Sequence, residues 1–263
     1  MSATDLIIPL VSPMTDDTSS VSEIRMARTV RWHRENGAAG FVVGSAAGEP
    51  FALSLKERKS LVEWTMRDAA NLPVYVNVTG FATASIIDLC IDASDWGVAG
   101  VVLLPPQVTG ITHDEMKDLL SAVRRHGKVG CGFLDVTGKW QDIEAESAAP
   151  GIAVPHLLQD KGMEQFASAR ITSSEFWTVN GMAHPIGVFG APVAKKLIEN
   201  WDAYKDTVNA ILDYGGIPRV GKYVLERFGV DVGPPRGPLN PLNQKGRELV
   251  EHLLVGLGFP RAD

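Results

Sequence analysis

The chain is poor in several things that would point to particular functions. No apolar run approaches the roughly 18 residues that a membrane helix needs, so no span is expected. There are two cysteines, Cys90 and Cys131, with no CxxC pair, and the six histidines form no tract, which argues against a structural zinc site. Both cysteines sit in apolar surroundings and read as buried free thiols, suited to a reducing compartment. Positive charge is not in excess: Lys+Arg total 25 against Asp+Glu 31, a net charge of −6. Without a basic stripe, nucleic acid is not an expected partner. Met1 to Asp5 has no basic stretch, and Leu6 to Val11 is too short for a signal core, so a cytoplasmic protein is expected. The glycine-rich stretch Gly44–Gly48 lacks the Gly-Lys-Ser/Thr ending of a phosphate loop. No cofactor and no bound metal are expected.

What is present is an alternation. Apolar residues make up 45% and charged residues 21%, enough for one sizeable core in a 263-residue chain. Short β-branched runs bounded by Gly or Pro alternate with amphipathic segments, the pattern of parallel strands joined by crossover helices. The strands are expected at Leu6–Leu10, Gly40–Val43, Val74–Val78, Gly100–Leu104, Val129–Leu134, Ile152–Pro155, Phe176–Val179 and Ile186–Phe189. Runs such as Val101-Val-Leu-Leu104 suit strands buried on both faces. Ser22 is the expected N-cap of a helix reaching Glu35 and stopped by Gly37. Ser54 and Glu57 have capping-box spacing at the head of the next helix. Helices are also expected over Thr83–Trp96 and His113–His126. After the eighth run the pattern is helical: Ala191–Tyr214 as one long helix, then Ile217–Phe228, then Gln244–Leu257 beyond a Pro/Gly-rich link. The expected fold is α/β, a (β/α)8 TIM barrel over residues 1–190 with a C-terminal three-helix extension over 191–263 packed on it.

Several segments carry a family resemblance. Ser12-Pro13 follows the first strand; Gly40-Phe-Val-Val-Gly-Ser-Ala-Ala-Gly-Glu49 is followed by Leu53-Ser54 and Glu57-Arg58. Leu72-Pro-Val74 leads into the third strand, Gly97–Pro106 ends in Pro-Pro, and the tail holds Gly233-Pro-Pro-Arg-Gly-Pro-Leu239. Together these resemble the dihydrodipicolinate synthase / N-acetylneuraminate lyase family of class I aldolase-like barrels. The resemblance implies lyases, aldolases or hydro-lyases acting on pyruvate and related 2-oxo acids, commonly as dimers or tetramers. It implies a Schiff-base lysine on strand six, a proton-shuttling tyrosine on strand five, and two loop hydroxyls holding the substrate carboxylate.

Those positions are changed here. The loop hydroxyls fall on Ala46 and Ala47, the strand-four tyrosines on Gln107 and Val108, the shuttle on Leu134 and the lysine on His156. Schiff-base chemistry needs a primary amine, which imidazole cannot replace. Lys139 and Lys161, in loops beyond strands five and six, are the candidates to stand in for the lysine, set against a role as solvated surface cations.

The polar residues expected at the barrel mouth are Ser12, Ser45, Asn77, Thr79, Gln107, Asp135, His156, Asn180 and His184. His156 reads as a general base oriented by Asp135, or as a buried histidine bonded to that carboxylate. Ser45, Ala46, Ala47, Asn77, Gln107 and Asn180 are the expected substrate contacts. Glu49 reads as a carboxylate capping backbone amides beside a glycine turn; Asn77 and Thr79 also fit backbone satisfaction. Three functions stand: a lyase or hydro-lyase on a small carboxylate without a Schiff base, a non-catalytic ligand-binding or partner subunit, and a metal-assisted aldolase using Asp135, His156 and His184. The expected partners are a small carboxylate and further copies of the chain.

Overall fold

The computed structural model describes residues 6–80, 82–104, 110–133 and 185–261. The expected strands at Ile152–Pro155 and Phe176–Val179 lie outside that range. Within it the sequence alternation becomes β1 (Ile7–Pro9), α1 (Glu23–Glu35), β2 (Gly40–Val43), α2 (Leu55–Asp68), β3 (Val74–Asn77), α3 (Thr83–Asp95), β4 (Gly100–Leu103), α4 (His113–His126) and β5 (Cys131–Phe133). The strands form one parallel sheet in sequence order, β1-β2-β3-β4-β5. The register pairs Ile7 with Gly40, Phe41 with Val74, Tyr75 with Gly100 and Val101 with Cys131. Every residue of β2, β3 and β4 is buried, as continuous apolar runs require when both faces are covered.

The helix starts follow their sequence signals. Ser22 caps α1, accepting from the Arg25 amide. Ser54 and Glu57 complete a reciprocal capping box on α2, and Thr112 with Glu115 does the same for α4. Gly37 adopts φ +84 just past α1, a conformation that glycine tolerates at a helix end.

Two expectations are corrected. Ile186–Phe189 is not a strand: Pro185–Phe189 is a 3-10 turn closed by Gly190 N donating to Gly187 O at 3.0 Å. Its side chains are buried as a barrel strand's would be, with Ile186, Val188 and Phe189 all sealed from solvent. The reason lies in β1. Leu10 N donates to Val42 O, so Ile8 and Leu10 bond toward β2 and Pro9 faces the opposite edge. Proline has no N–H there, so that edge lacks a ladder donor. The turn packs on Pro9 instead, and a Cβ at Gly187 would stand 2.6 Å from Pro9 Cδ.

The second correction concerns the long helix. Residues Ala191–Glu199 and Trp201–Gly215 are separate helices, α5 and α6. Asn200 between them has φ −123 and ψ 27, and its Nδ2 donates to Lys196 O at 2.9 Å. A short amide side chain that competes for backbone carbonyls ends one helix and lets the next start in a new direction. Buried Leu197 and buried Trp201 can then both face the core. The helices α7 (Ile217–Arg227) and α8 (Gln244–Gly256) follow.

Helix α7 lies over the start of the barrel. Gly221 in its middle is the contact point: an added Cβ would overlap Val188 Cγ2 and come within 3.0 Å of Val11 Cγ1. Gly221→Ala is therefore expected to destabilise the protein by about 1–3 kcal/mol in urea unfolding, the range for overpacking a tight contact. An unchanged midpoint would contradict this seating of α7.

Candidate functional site

Parallel barrels place their chemistry at the C-terminal ends of the strands. Here the ends of β1 to β4 bring together Ser12, the loop Gly44–Glu49 and the segment Asn77–Gly80. The loop begins at Gly44, whose φ of +75 and 3.2 Å approach of a would-be Cβ to Asn77 O both require glycine. Ala46–Gly48 form a single 3-10 turn, with Gly48 N donating to Ser45 O at 2.9 Å. Ser12 Oγ donates to Gly48 O at 2.5 Å and pins the turn to the end of β1.

A relay of side chains ties the neighbouring strand ends together. Asn77 Nδ2 donates to Gly44 O at 2.8 Å, and its Oδ1 accepts from Thr79 N at 2.9 Å. Thr79 Oγ1 accepts from Leu104 N at 2.8 Å. Asn77 and Thr79 thus satisfy backbone groups of three strand ends. Arg58, from the first turn of α2, reaches in and donates from Nη2 to Asn77 O at 2.7 Å. Its residue is 8% exposed, and its Nε has no partner among the described residues. Burial pushes the guanidinium down to about 10, which leaves it a cation at neutral pH.

The far end of the loop is held by charge. Glu49 sits at φ +51, a left-handed conformation uncommon outside glycine. Its Oε2 accepts from the Arg236 amide at 2.8 Å. Its Oε1 stands 3.0 Å from Lys222 Nζ on α7, an ion pair by distance though outside hydrogen-bond geometry. Both side chains are almost fully buried, at 4% and 2% exposure. Lys222 Nζ also donates to Pro234 O at 2.8 Å. Burial lowers the Lys222 ammonium pKa, and the Glu49 charge works against that shift. Arg236 then makes a two-pronged contact with Glu57, Nη1 to Oε2 at 2.9 Å and Nη2 to Oε1 at 2.7 Å. That guanidinium holds the Glu57 carboxyl down at about 2.

Of the sequence-predicted site residues, Ser12, Ser45, Ala46, Ala47, Asn77 and Thr79 meet at this mouth. Ala47 is buried and Ala46 half-buried, with methyl groups where the resemblance implies hydroxyls. Ser45 Oγ is buried with no partner among the described residues. Gln107, Val108, Leu134, Asp135, Lys139, His156, Lys161, Asn180 and His184 lie outside the described residues. Among the described residues no group of three or more His, Cys, Asp or Glu could hold a metal. Sequence reasoning missed Lys222 and the inward course of Arg58. A lysine flanking the apolar stripe Val220, Val224 and Leu225 was the available signal for the first.

Residues 2–129 match the model of the dihydrodipicolinate synthetase family. Over those residues, just under half of the chain, it is similar to that family. A 4-hydroxy-tetrahydrodipicolinate synthase of Clostridium acetobutylicum is 23% identical over 133 residues, 50% of this chain and 45% of the relative. An uncharacterised DapA-like lyase of Pyrococcus horikoshii is 30% identical over 109 residues, 41% of this chain and 37% of the relative. The chain thus spans less than half the length of the curated relatives it matches. Similarity of fold extends further. The dihydrodipicolinate synthase of Cyanidioschyzon merolae with lysine bound superposes with a TM-score of 0.75 at 18% identity, covering 98% of this chain and 99% of that one. A catalytic-lysine mutant of Ruminococcus gnavus sialic acid aldolase gives 0.72 at 18% identity, covering 97% and 95%. The fold is the TIM barrel.

Two outcomes are expected at the charged junction. Lys222→Met strands the Glu49 carboxylate in the interior and should cost about 3–5 kcal/mol in urea unfolding, with part of the loss recovered in Glu49→Gln/Lys222→Met. Strictly additive losses would contradict the pairing. Glu57 has a folded pKa below its ordinary 4.5, so its contribution is present above 4.5 and lost as the pH falls toward about 2. Wild type should lose roughly 2–3 kcal/mol over that window, and Glu57→Gln should lack this part of the loss. Parallel pH profiles would contradict it.

Proposed function

We propose that the chain is a divergent dihydrodipicolinate synthetase family protein acting on a small carboxylate of the 2-oxo acid kind, as a lyase or hydro-lyase that forms no Schiff base. The observation that carries this reading is the β2 loop. It is pinned at both ends, by Ser12 and Asn77 on one side and by Glu49 on the other, yet it presents alanine at 46 and 47. Such fixed backbone polarity is what a carboxylate needs, since preorganised donors bind without reordering. The Ser45 hydroxyl, buried and without a partner among the described residues, supplies a donor beside the alanines at 46 and 47.

In this reading His156, at the position that the resemblance gives to the lysine, takes the proton from the carbon next to the carbonyl. Asp135 orients its imidazole, and Gln107 and Asn180 complete the substrate contacts. The electron pair left by the proton expels the leaving group, and no bond to the protein forms. The absence of an amine at 156 supports a non-covalent route. Binding without turnover is the second reading, favoured by the alanine methyls at 46 and 47.

Intact mass after incubation with pyruvate and borohydride tests the covalent step. No adduct is expected here, beside a family member that does label. A mass gain would place a reactive lysine in the chain and overturn the reading. In a screen of small 2-oxo acids, His156→Asn should then lower turnover by about 100-fold or more with a change in stability under roughly 0.5 kcal/mol. Ligand binding with no turnover in wild type would select the second reading.

A further inference from the structure

The inference concerns Arg58 and rests on the carboxylate reading above. A guanidinium taken out of water normally faces a carboxylate, because an unopposed buried charge costs several kcal/mol. Arg58 faces none among the described residues. Of the acids at the mouth, Glu49 is committed to Lys222 and the Arg236 amide, and Glu57 to the Arg236 guanidinium. Among the described residues, the one hydrogen bond that the Arg58 side chain makes is to the neutral carbonyl of Asn77. A tie to one carbonyl does not require a full positive charge.

The position of that charge is specific. Arg58 Nη2 lies 4.0 Å from the point where a Gly44 Cβ would be, and Nη1 lies 3.6 Å from the corresponding point at Gly80. It therefore sits between the loops that follow β2 and β3, directly behind the Gly44–Gly48 turn. At the head of that turn is the Ser45 hydroxyl, also buried and also without a partner among the described residues. A buried guanidinium with one unpartnered nitrogen thus stands beside Gly44, and a buried hydroxyl donor stands one residue on. An anion on that turn would meet the charge of the one and accept from the other.

We infer that Arg58 is the counter-charge for an anionic ligand seated on the Gly44–Gly48 turn, and that with Ser45 it makes the mouth select a carboxylate over its uncharged analogue. Arg58 acts from behind the loop, through the Asn77 carbonyl and the field it projects. It is a specificity-determining residue and not a catalytic one. A purely structural Arg58 would instead hold the end of β3 and treat charged and neutral ligands alike.

The test uses the full chain and two probes of nearly equal shape, pyruvate and pyruvamide, titrated by calorimetry. Wild type should bind pyruvate more tightly than pyruvamide; equal affinity would overturn the inference without any variant. R58Q keeps a donor for Asn77 O and removes the charge, whereas R58K keeps the charge. R58Q should lose about tenfold or more in pyruvate affinity, the scale of one charge-assisted bond, with pyruvamide unaffected. R58K should retain the preference for pyruvate. Equal losses for both probes, or equal losses in both variants, would mean a structural role and overturn the inference. Failure of wild type to bind pyruvate or any other small 2-oxo acid would instead sink the carboxylate reading, and Arg58 selectivity with it.

Discussion

The mouth of this barrel depends on one ion pair between distant parts of the chain, Glu49 with Lys222. Both charges are almost fully buried, so neither is tolerable alone. Glu49 can keep its left-handed backbone because α7 delivers an ammonium, and the link after it the Arg236 amide, to its carboxylate. Lys222 can be buried because Glu49 and the Pro234 carbonyl receive it. The C-terminal helices are thereby part of the site: they set where the β2 loop ends. Gly221, one residue away, lets the helix come close enough to the barrel for the pair to form.

Around this junction most polar side chains are spent on backbone. Ser12 holds Gly48, Asn77 holds Gly44 and Thr79, and Thr79 holds Leu104. A mouth ordered this way is a rigid frame, which is what a binding site on loops requires. The groups left over are few, the Ser45 hydroxyl and the Arg58 guanidinium among them. Alanines stand at 46 and 47 on this frame, and in the function proposed above His156 does the work that the resemblance gives to a lysine.

Legibility in the sequence followed the range of the forces involved. Strands β2 to β4 and the starts of α1 and α2 were readable because their causes are local: apolar continuity, Ser22 and the Ser54–Glu57 box. The turn at Pro185–Phe189 was not, since its cause is a missing N–H on Pro9, far off in sequence. Burial of that segment was readable; its hydrogen bonding was not. The split at Asn200 turned on a side-chain amide competing with the helix in a pattern otherwise apolar and continuous. Within the site, Asn77 and Thr79 were legible as mouth residues, and backbone satisfaction was the role of each that the structure bears out. Lys222 was not legible, because a lysine beside an apolar stripe usually reaches solvent and only its partner at position 49 keeps it inside.

The buried pair makes the β2 loop and α7 one unit. Native-state hydrogen exchange of the Gly48 and Glu49 amides, compared with the amides of α7, tests it most directly. Both loop amides are bonded within the turn, to Ser45 O and Ala46 O, so their exchange reports opening of the loop. They are expected to open with the same free energy as α7. Loop amides that exchange freely while α7 stays protected would show that the buried pair does not hold the mouth.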